Sequence, residues 1–128
     1  MEKIAVLLGG PSGERKVSLE TGKYVSQSLE EQDYLVKKII VTSNKKLLIK
    51  NLKRFKPDFV FNALHGTFGE DGQIQKLLDK LKIKYTHSGV KTSEIAMNKK
   101  KAKLIFKKLR IAYPNDIKLN IKNFKNKL

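Results

Sequence analysis

A chain of 128 residues, 40% apolar and without cysteine, holds one modest core and excludes a disulfide framework, a thiolate metal site and a cysteine nucleophile. Its formal charge of +16 invites a nucleic-acid reading, but residues 91–128 carry +10 of that excess, and the only arginines are Arg15, Arg54 and Arg110, poor material for bidentate recognition of bases or phosphates. No apolar run is long enough to cross a bilayer, and residues 4–8 lack the length and cleavage pattern of a signal peptide, so the expectation is a cytoplasmic protein that partners neither nucleic acid nor membrane.

Residues 4–8 form a short apolar run ending in Gly9 and Gly10, as expected of a strand buried on both faces of a parallel sheet. After a loop from 9 to 17, Ser18 is placed to cap a helix with Glu20 in its first turn; Tyr24, Val25 and Leu29 supply an apolar side, and the helix ends near Gln32. Residues 34–41 are β-branched enough for a second strand. Leu48, Leu52 and Phe55 then recur at helical spacing before Pro57 stops that helix, and Phe59 begins a third strand.

A glycine-bearing loop over residues 65–72 leads into a helix whose Ile74, Leu77, Leu78 and Leu81 form a core-facing stripe. Residues 83–86 read as a short strand, Gly89 marks a third loop, and Ala102, Ile105, Phe106 and Leu109 mark another amphipathic helix. Strict alternation of strand and helix argues for an α/β fold, a doubly wound and mostly parallel sheet whose ligands gather at the carboxyl ends of the strands.

Seven of the eight glycines, and both histidines, His65 and His87, fall in the three loops that follow strands one, three and four. Glycine permits close backbone approach, and loops on a rigid sheet are where binding chemistry is mounted. Taken singly, each loop is explained as well by a tight turn; taken together, they point to one site. The first loop is neither a Walker loop nor a dinucleotide fingerprint, and Glu14 would repel a phosphate lying against it. That carboxylate suits an ammonium group; a surface pair with Arg15 or Lys16 is an equal alternative. In the second loop one imidazole and two adjacent carboxylates make a poor metal set, so no metal ligand is assigned. Asp71 is placed to cap the following helix, Glu70 to orient its neighbours, and His65 to donate to a carboxylate or a developing oxyanion.

Three segments carry a resemblance. Leu7-Leu8-Gly9-Gly10-x-Ser12-x-Glu14-Arg15-x-Val17-Ser18 resembles the N-terminal signature of the D-alanine:D-alanine ligases. His65-Gly66-x-x-Gly69-Glu70-Asp71-Gly72-x-Ile74-Gln75 is similar to another motif of that family, and Tyr85-Thr86-x-Ser88-Gly89-Val90 followed by Met97-x-Lys99 to a third. The resemblance implies a Rossmann-like domain over residues 1–110 that precedes an ATP-grasp module, with 111–128 starting the connection. It implies a full-length homodimeric enzyme that joins two D-alanines for peptidoglycan synthesis, using ATP and magnesium and passing through an acyl phosphate. Glu14 matches the glutamate that binds the ammonium group of the first D-alanine, Val17 the residue beside its methyl group, and His65 the histidine near its carboxylate and the acyl phosphate. Glu14 and His65 are therefore the expected catalytic residues, supported by Ser18, Glu70 and Asp71. Lys99 matches a lysine placed toward the nucleotide, though it also reads as one more solvated lysine.

Three positions depart from the pattern: His87 replaces a usual glycine, Lys76 a usual small residue and Asn98 a usual aspartate. The resemblance places the ATP clamp and the magnesium carboxylates beyond this sequence, so these 128 residues are expected to be inactive alone. Two alternatives stand beside the ligase reading: a non-catalytic binding module of the same fold, and a basic nucleic-acid-binding protein.

Overall fold

A computed structural model describes residues 1–115. Its elements run β1 (Lys3–Gly9), α1 (Arg15–Glu30), β2 (Leu35–Val41), α2 (Lys45–Phe55), β3 (Phe59–Asn62), α3 (Gln73–Lys80), β4 (Lys84–Tyr85), α4 (Val90–Met97) and α5 (Lys99–Lys108). The four strands form one sheet in the order β2-β1-β3-β4, every pair parallel. The expected α/β class and parallel sheet are what the structure has.

β1 lies between two partners, pairing along its length with β2 and from Ile4 to Leu7 with β3. Both its edges and both its faces are covered, which is why it reads as a continuous apolar run and why Ala5, Val6 and Leu7 are wholly buried. On one face Ala5, Leu7, Ile39, Val41 and Val60 pack with Leu48 and Leu52 of α2 and Ile74 and Leu78 of α3. α1 covers the other face of β1. At the sheet edge β2 keeps only its α2 side dry: Ile39 and Val41 are buried while Ile40 between them is exposed.

α2 follows the sequence closely. Asn44 caps it by accepting from the Leu47 N–H at 3.0 Å, its apolar stripe is Leu48 and Leu52, and Lys56 ends it in the left-handed conformation one residue before Pro57. α3 carries its expected stripe, with Ile74 and Leu78 buried and Leu77 and Leu81 packed against the core.

α1 departs from expectation in two ways. It starts at Arg15 with Glu14 in the cap position, so Ser18 lies inside the helix and does not cap it. Its end at Glu30, capped by Glu31, is near the expected Gln32. Tyr24 is 67% exposed, and the buried stripe is Ser18, Gly22 and Ser26. A stripe of small polar residues lets a helix approach a strand more closely than leucines do, and apolar periodicity does not register it.

At the other end, α4 is a helix that apolar periodicity did not register, and α5 buries none of its residues among those described. β4 is two residues long, extended by the Thr86 N–H donating to Val60 O. Residues 116–128, most of the expected connection, lie outside the described residues.

The closeness of α1 to β1 gives a test. A Cβ built on Gly22 comes 2.5 Å from Leu8 Cβ, the rigid base of a buried strand side chain. Gly22→Ala gains about 1 kcal/mol of helix propensity, but the overlap forces helix and strand apart at a cost of roughly 1–3 kcal/mol or more. The expected outcome is a lower urea midpoint with unchanged denaturant slope; a midpoint at or above that of the parent chain contradicts this packing.

Candidate functional site

The chain leaves β1 to reach β2 on one side and later returns to place β3 on the other, so strand order reverses between β1 and β3. In an open parallel sheet the loops at such a reversal diverge and leave a crevice at the carboxyl ends of the strands. The first loop (9–14) leaves β1 there, and the second (63–72) leaves β3. The third (86–89) leaves β4 next to it.

Two serines tie the first loop to the second. The Ser18 hydroxyl, fully buried, accepts from the Gly9 N–H at 2.8 Å and donates to Ala63 O at 2.7 Å. Ser12 Oγ donates to His65 O at 2.7 Å and accepts from the Glu14 N–H at 3.2 Å. Arg15 does not pair with Glu14; its Nη1 donates to Gly10 O and Val41 O, both at 3.0 Å, and anchors the loop to the end of β2. The surface pair of Glu14 with Arg15 or Lys16 is therefore absent: among the described residues the ion pair joins Lys76 to Glu94.

Glu14 stands at the N-terminus of α1, where the helix dipole favours a carboxylate. Its side chain caps nothing and makes no hydrogen bond or ion pair among the described residues. Instead it lies against Gly66: a Cβ on Gly66 would come 2.5 Å from Glu14 Oε2 and 3.2 Å from Ser12 Oγ. Gly66 also has φ +69°, so both backbone conformation and space require glycine there. One residue away, His65 Nε2 is 3.2 Å from Thr21 Oγ1 on α1. The structure thus brings Glu14, Ser18 and His65 together.

The second loop is held by its own carboxylates. Glu70 Oε2 accepts from the Gly66 N–H at 2.6 Å. Asp71 is not the cap of α3, a position Gly72 fills. It accepts from the Phe68 N–H at 3.0 Å through one oxygen and from the first helical N–H, of Gln73, at 3.1 Å through the other. Phe68 has φ +75°, costly for a buried aromatic residue, and the Asp71 carboxylate secures that turn. Partial burial pushes the Asp71 carboxyl up, but the Phe68 N–H and then the Gln73 side chain and N–H outweigh it, holding the group below its ordinary value of 3.8.

Beneath the loop lies a buried amide pair that the residue pattern did not single out. Asn62 Nδ2 and Gln75 Nε2 both donate to Gly69 O, at 2.8 and 2.9 Å, and Asn62 Oδ1 accepts from the Leu64 N–H. The signal was an amide at a buried strand end and another on a core-facing helix, both of which need partners.

The remaining site candidates are less enclosed. Val17 is 55% exposed on the first turn of α1. Lys99 is exposed at the first position of α5, where Asn98 caps the helix by accepting from the Lys101 N–H at 3.1 Å. Asparagine does there what aspartate would do. His87, at the usual glycine position, has no left-handed backbone and packs edge-on to Phe61 with ring centroids 6.0 Å apart. Lys76 points to solvent and pairs with Glu94, so neither residue disturbs the packing around it.

The architecture is that of a doubly wound α/β domain with its polar loops collected at a topological switch point. Residues 48–88 match the family described as D-ala D-ala ligase N-terminus. The chain is 52% identical over 127 residues to a D-alanine–D-alanine ligase from Pelagibacter ubique, covering 99% of this chain and 40% of that protein. A Bartonella tribocorum ligase of the same name is 51% identical over 102 residues, 80% of this chain and 32% of its own length. The crystal structure of D-alanine–D-alanine ligase from Bacillus anthracis superposes with TM-score 0.80 at 33% identity, over 98% of this chain and 42% of that one; a second, complexed with ATP, gives 0.76 over 98% and 44%. The chain is similar to the N-terminal region of D-alanine–D-alanine ligases. It spans about 40% of the length of the Pelagibacter relative.

Two measurements test this construction. Ser18→Ala strands the Gly9 N–H and Ala63 O, two buried groups whose loss costs roughly 1–3 kcal/mol each; the expected result is a lower denaturation midpoint with fast hydrogen exchange at Gly9. For Asp71, a depressed folded value means its stabilisation is fully present above 3.8 and is lost as pH falls through the folded value. Asp71→Asn is therefore expected to be less stable than the parent chain near neutral pH, and the gap to close below about pH 4. A gap independent of pH contradicts the assignment.

Proposed function

We propose that this chain forms the first-substrate wall of a D-alanine–D-alanine ligase, with Glu14 as the receptor for the ammonium group of one D-alanine and His65 as the donor to its carboxylate. The observation that carries the reading is the Glu14 carboxylate: it is set at a helix N-terminus, pressed against Gly66 beside Ser12, and left without a partner among the described residues of a strongly basic chain. A free ammonium is what such a group lacks, and the charge-assisted hydrogen bonds it offers gain strength once a second wall excludes water.

In this reading the substrate carboxylate, steered by His65, attacks the γ-phosphorus of ATP and ADP leaves. The amine of a second D-alanine then attacks the acyl carbon, phosphate departs, and the dipeptide serves peptidoglycan synthesis. The chain's own contribution is positioning and charge: holding the ammonium, orienting the carboxylate and donating a proton bond where negative charge builds. Val17 borders the methyl group, while Ser18, Glu70 and Asp71 keep the two loops in register. Lys99 is directed toward the nucleotide.

Magnesium belongs to this reading as the group that neutralises phosphate charge. Among the described residues no three histidine, cysteine, aspartate or glutamate side chains converge. The magnesium ligands and the ATP clamp are proposed to come from the rest of the protein, which acts as a cytoplasmic homodimer; the 128 residues alone are proposed to be inactive. Among the described residues no helix is long and apolar enough to cross a membrane.

The test is D-alanine-dependent ADP release, with ATP and magnesium, by the whole protein that carries this sequence. Glu14→Gln keeps shape and removes charge, so kcat/KM is expected to fall about 10- to 100-fold, the worth of one charged hydrogen bond. His65→Ala is expected to lower kcat by a similar factor. A well-folded parent protein without D-alanine-dependent release refutes the ligase reading, and full activity in both variants refutes the site.

A further inference from the structure

The ring of His65 has one hydrogen-bond partner among the described residues, and that partner sits on α1. Thr21 Oγ1 lies 3.2 Å from His65 Nε2. A hydroxyl in mid-helix ordinarily donates to the carbonyl four residues back, and Ser26 on the same helix does so, to Gly22 O at 2.6 Å. Thr21 makes no such bond to Val17 O, so its proton has no competing acceptor among the described residues.

Two protonation arrangements satisfy a 3.2 Å contact. If Nε2 carries the hydrogen and donates to Thr21, the threonine proton is stranded and Nδ1 is left as a bare acceptor. If Thr21 donates, its proton is satisfied, Nε2 is the acceptor and Nδ1 carries the hydrogen. Each arrangement leaves one donor without a partner among the described residues; the second leaves it on the ring, at Nδ1, where His65 is proposed to meet the substrate carboxylate. The histidine backbone is meanwhile held separately, by Ser12 Oγ on His65 O at 2.7 Å, so the main chain is fixed from the β1–α1 loop and the ring from α1 itself.

We infer that Thr21 is a positioning residue for His65: its hydroxyl donates to Nε2, holds the neutral imidazole as the Nδ1–H tautomer, and leaves Nδ1–H free to donate to an anion. This deepens the role proposed above for His65 and rests on it for its functional meaning. An imidazole free in water prefers the opposite tautomer, with hydrogen on Nε2, so the contact has a measurable signature. A histidine that must give a hydrogen bond rather than receive one needs its tautomer set by whatever holds the other nitrogen.

The chain contains two histidines, so the tautomer can be read directly. Two-bond proton–nitrogen correlation spectra of the uniformly ¹⁵N-labelled 128-residue chain, at about pH 8 and above the ordinary histidine range, are assigned with His87→Gln. His65 is expected to show a protonated-type Nδ1 and a pyridine-type Nε2. Thr21→Val, of equal shape, is expected to move His65 toward the solution pattern with hydrogen on Nε2, while Thr21→Ser restores the Nδ1–H pattern and His87 is unchanged throughout. A parent chain with hydrogen on His65 Nε2, or a Thr21→Val chain whose His65 pattern does not move, overturns the inference. The readout is nitrogen shift and not turnover, so failure of the ligase assay would leave this assignment standing, and failure here would leave Glu14 and the ligase reading untouched.

Discussion

A parallel sheet runs out of its own hydrogen bonds where two strands part, and at the β1–β3 reversal this leaves main-chain groups buried with nothing opposite them. The Ser18 hydroxyl resolves that constraint by accepting from the Gly9 N–H and donating to Ala63 O. One buried side chain therefore satisfies both strand ends at once, and the spacing between the two loops is set by two bonds under 3 Å rather than by loose packing. The other tethers add to this frame: Arg15 fixes the first loop to the end of β2, Ser12 fixes it to His65, and Glu70 and Asp71 close the second loop on itself. Preorganisation of this kind is what a binding site needs if substrate affinity is not to be spent ordering loops.

Within that frame, charge is distributed unevenly. Arg15 is committed to backbone carbonyls, and Asp71 and Glu70 to backbone N–H groups, which leaves Glu14 as the loop carboxylate without a partner among the described residues. The excess positive charge of the chain is concentrated after residue 90, and among the described residues none of it pairs directly with Glu14. Glu14 is exposed here, so an ammonium bound to it would be held weakly until a second wall lowers the local dielectric.

The parts of the fold legible in the residues are those governed by burial of apolar side chains. β1 announced itself because a strand covered on both faces must be apolar throughout, and α2 and α3 because leucines and isoleucines recur at helical spacing over one core. The glycine-rich loops could be placed at strand ends for the same reason. What escaped was governed by polar contacts. Ser18 has the chemistry of a helix cap, and only the tertiary position of Ala63 turns it into a clamp; Asp71, two residues before α3, holds the strained Phe68 turn as well as the helix. α4 was missed because it buries a single serine and has no apolar stripe to read.

The stripe on α1 explains why the polar contacts can form at all. Leucines at positions 22 and 26 would hold the helix farther from the sheet and take the Ser18 hydroxyl out of reach of the two strand ends. With Gly22 and Ser26 there instead, Gly22 leaves no room for even a methyl group against Leu8. Ser18 then reaches Gly9 and Ala63, and Thr21, three residues further along the helix, reaches the ring of His65. Apolar burial is given up along that helix face in exchange for position. The same small residues that made α1 hard to read are what bring its side chains within hydrogen-bonding distance of the second loop.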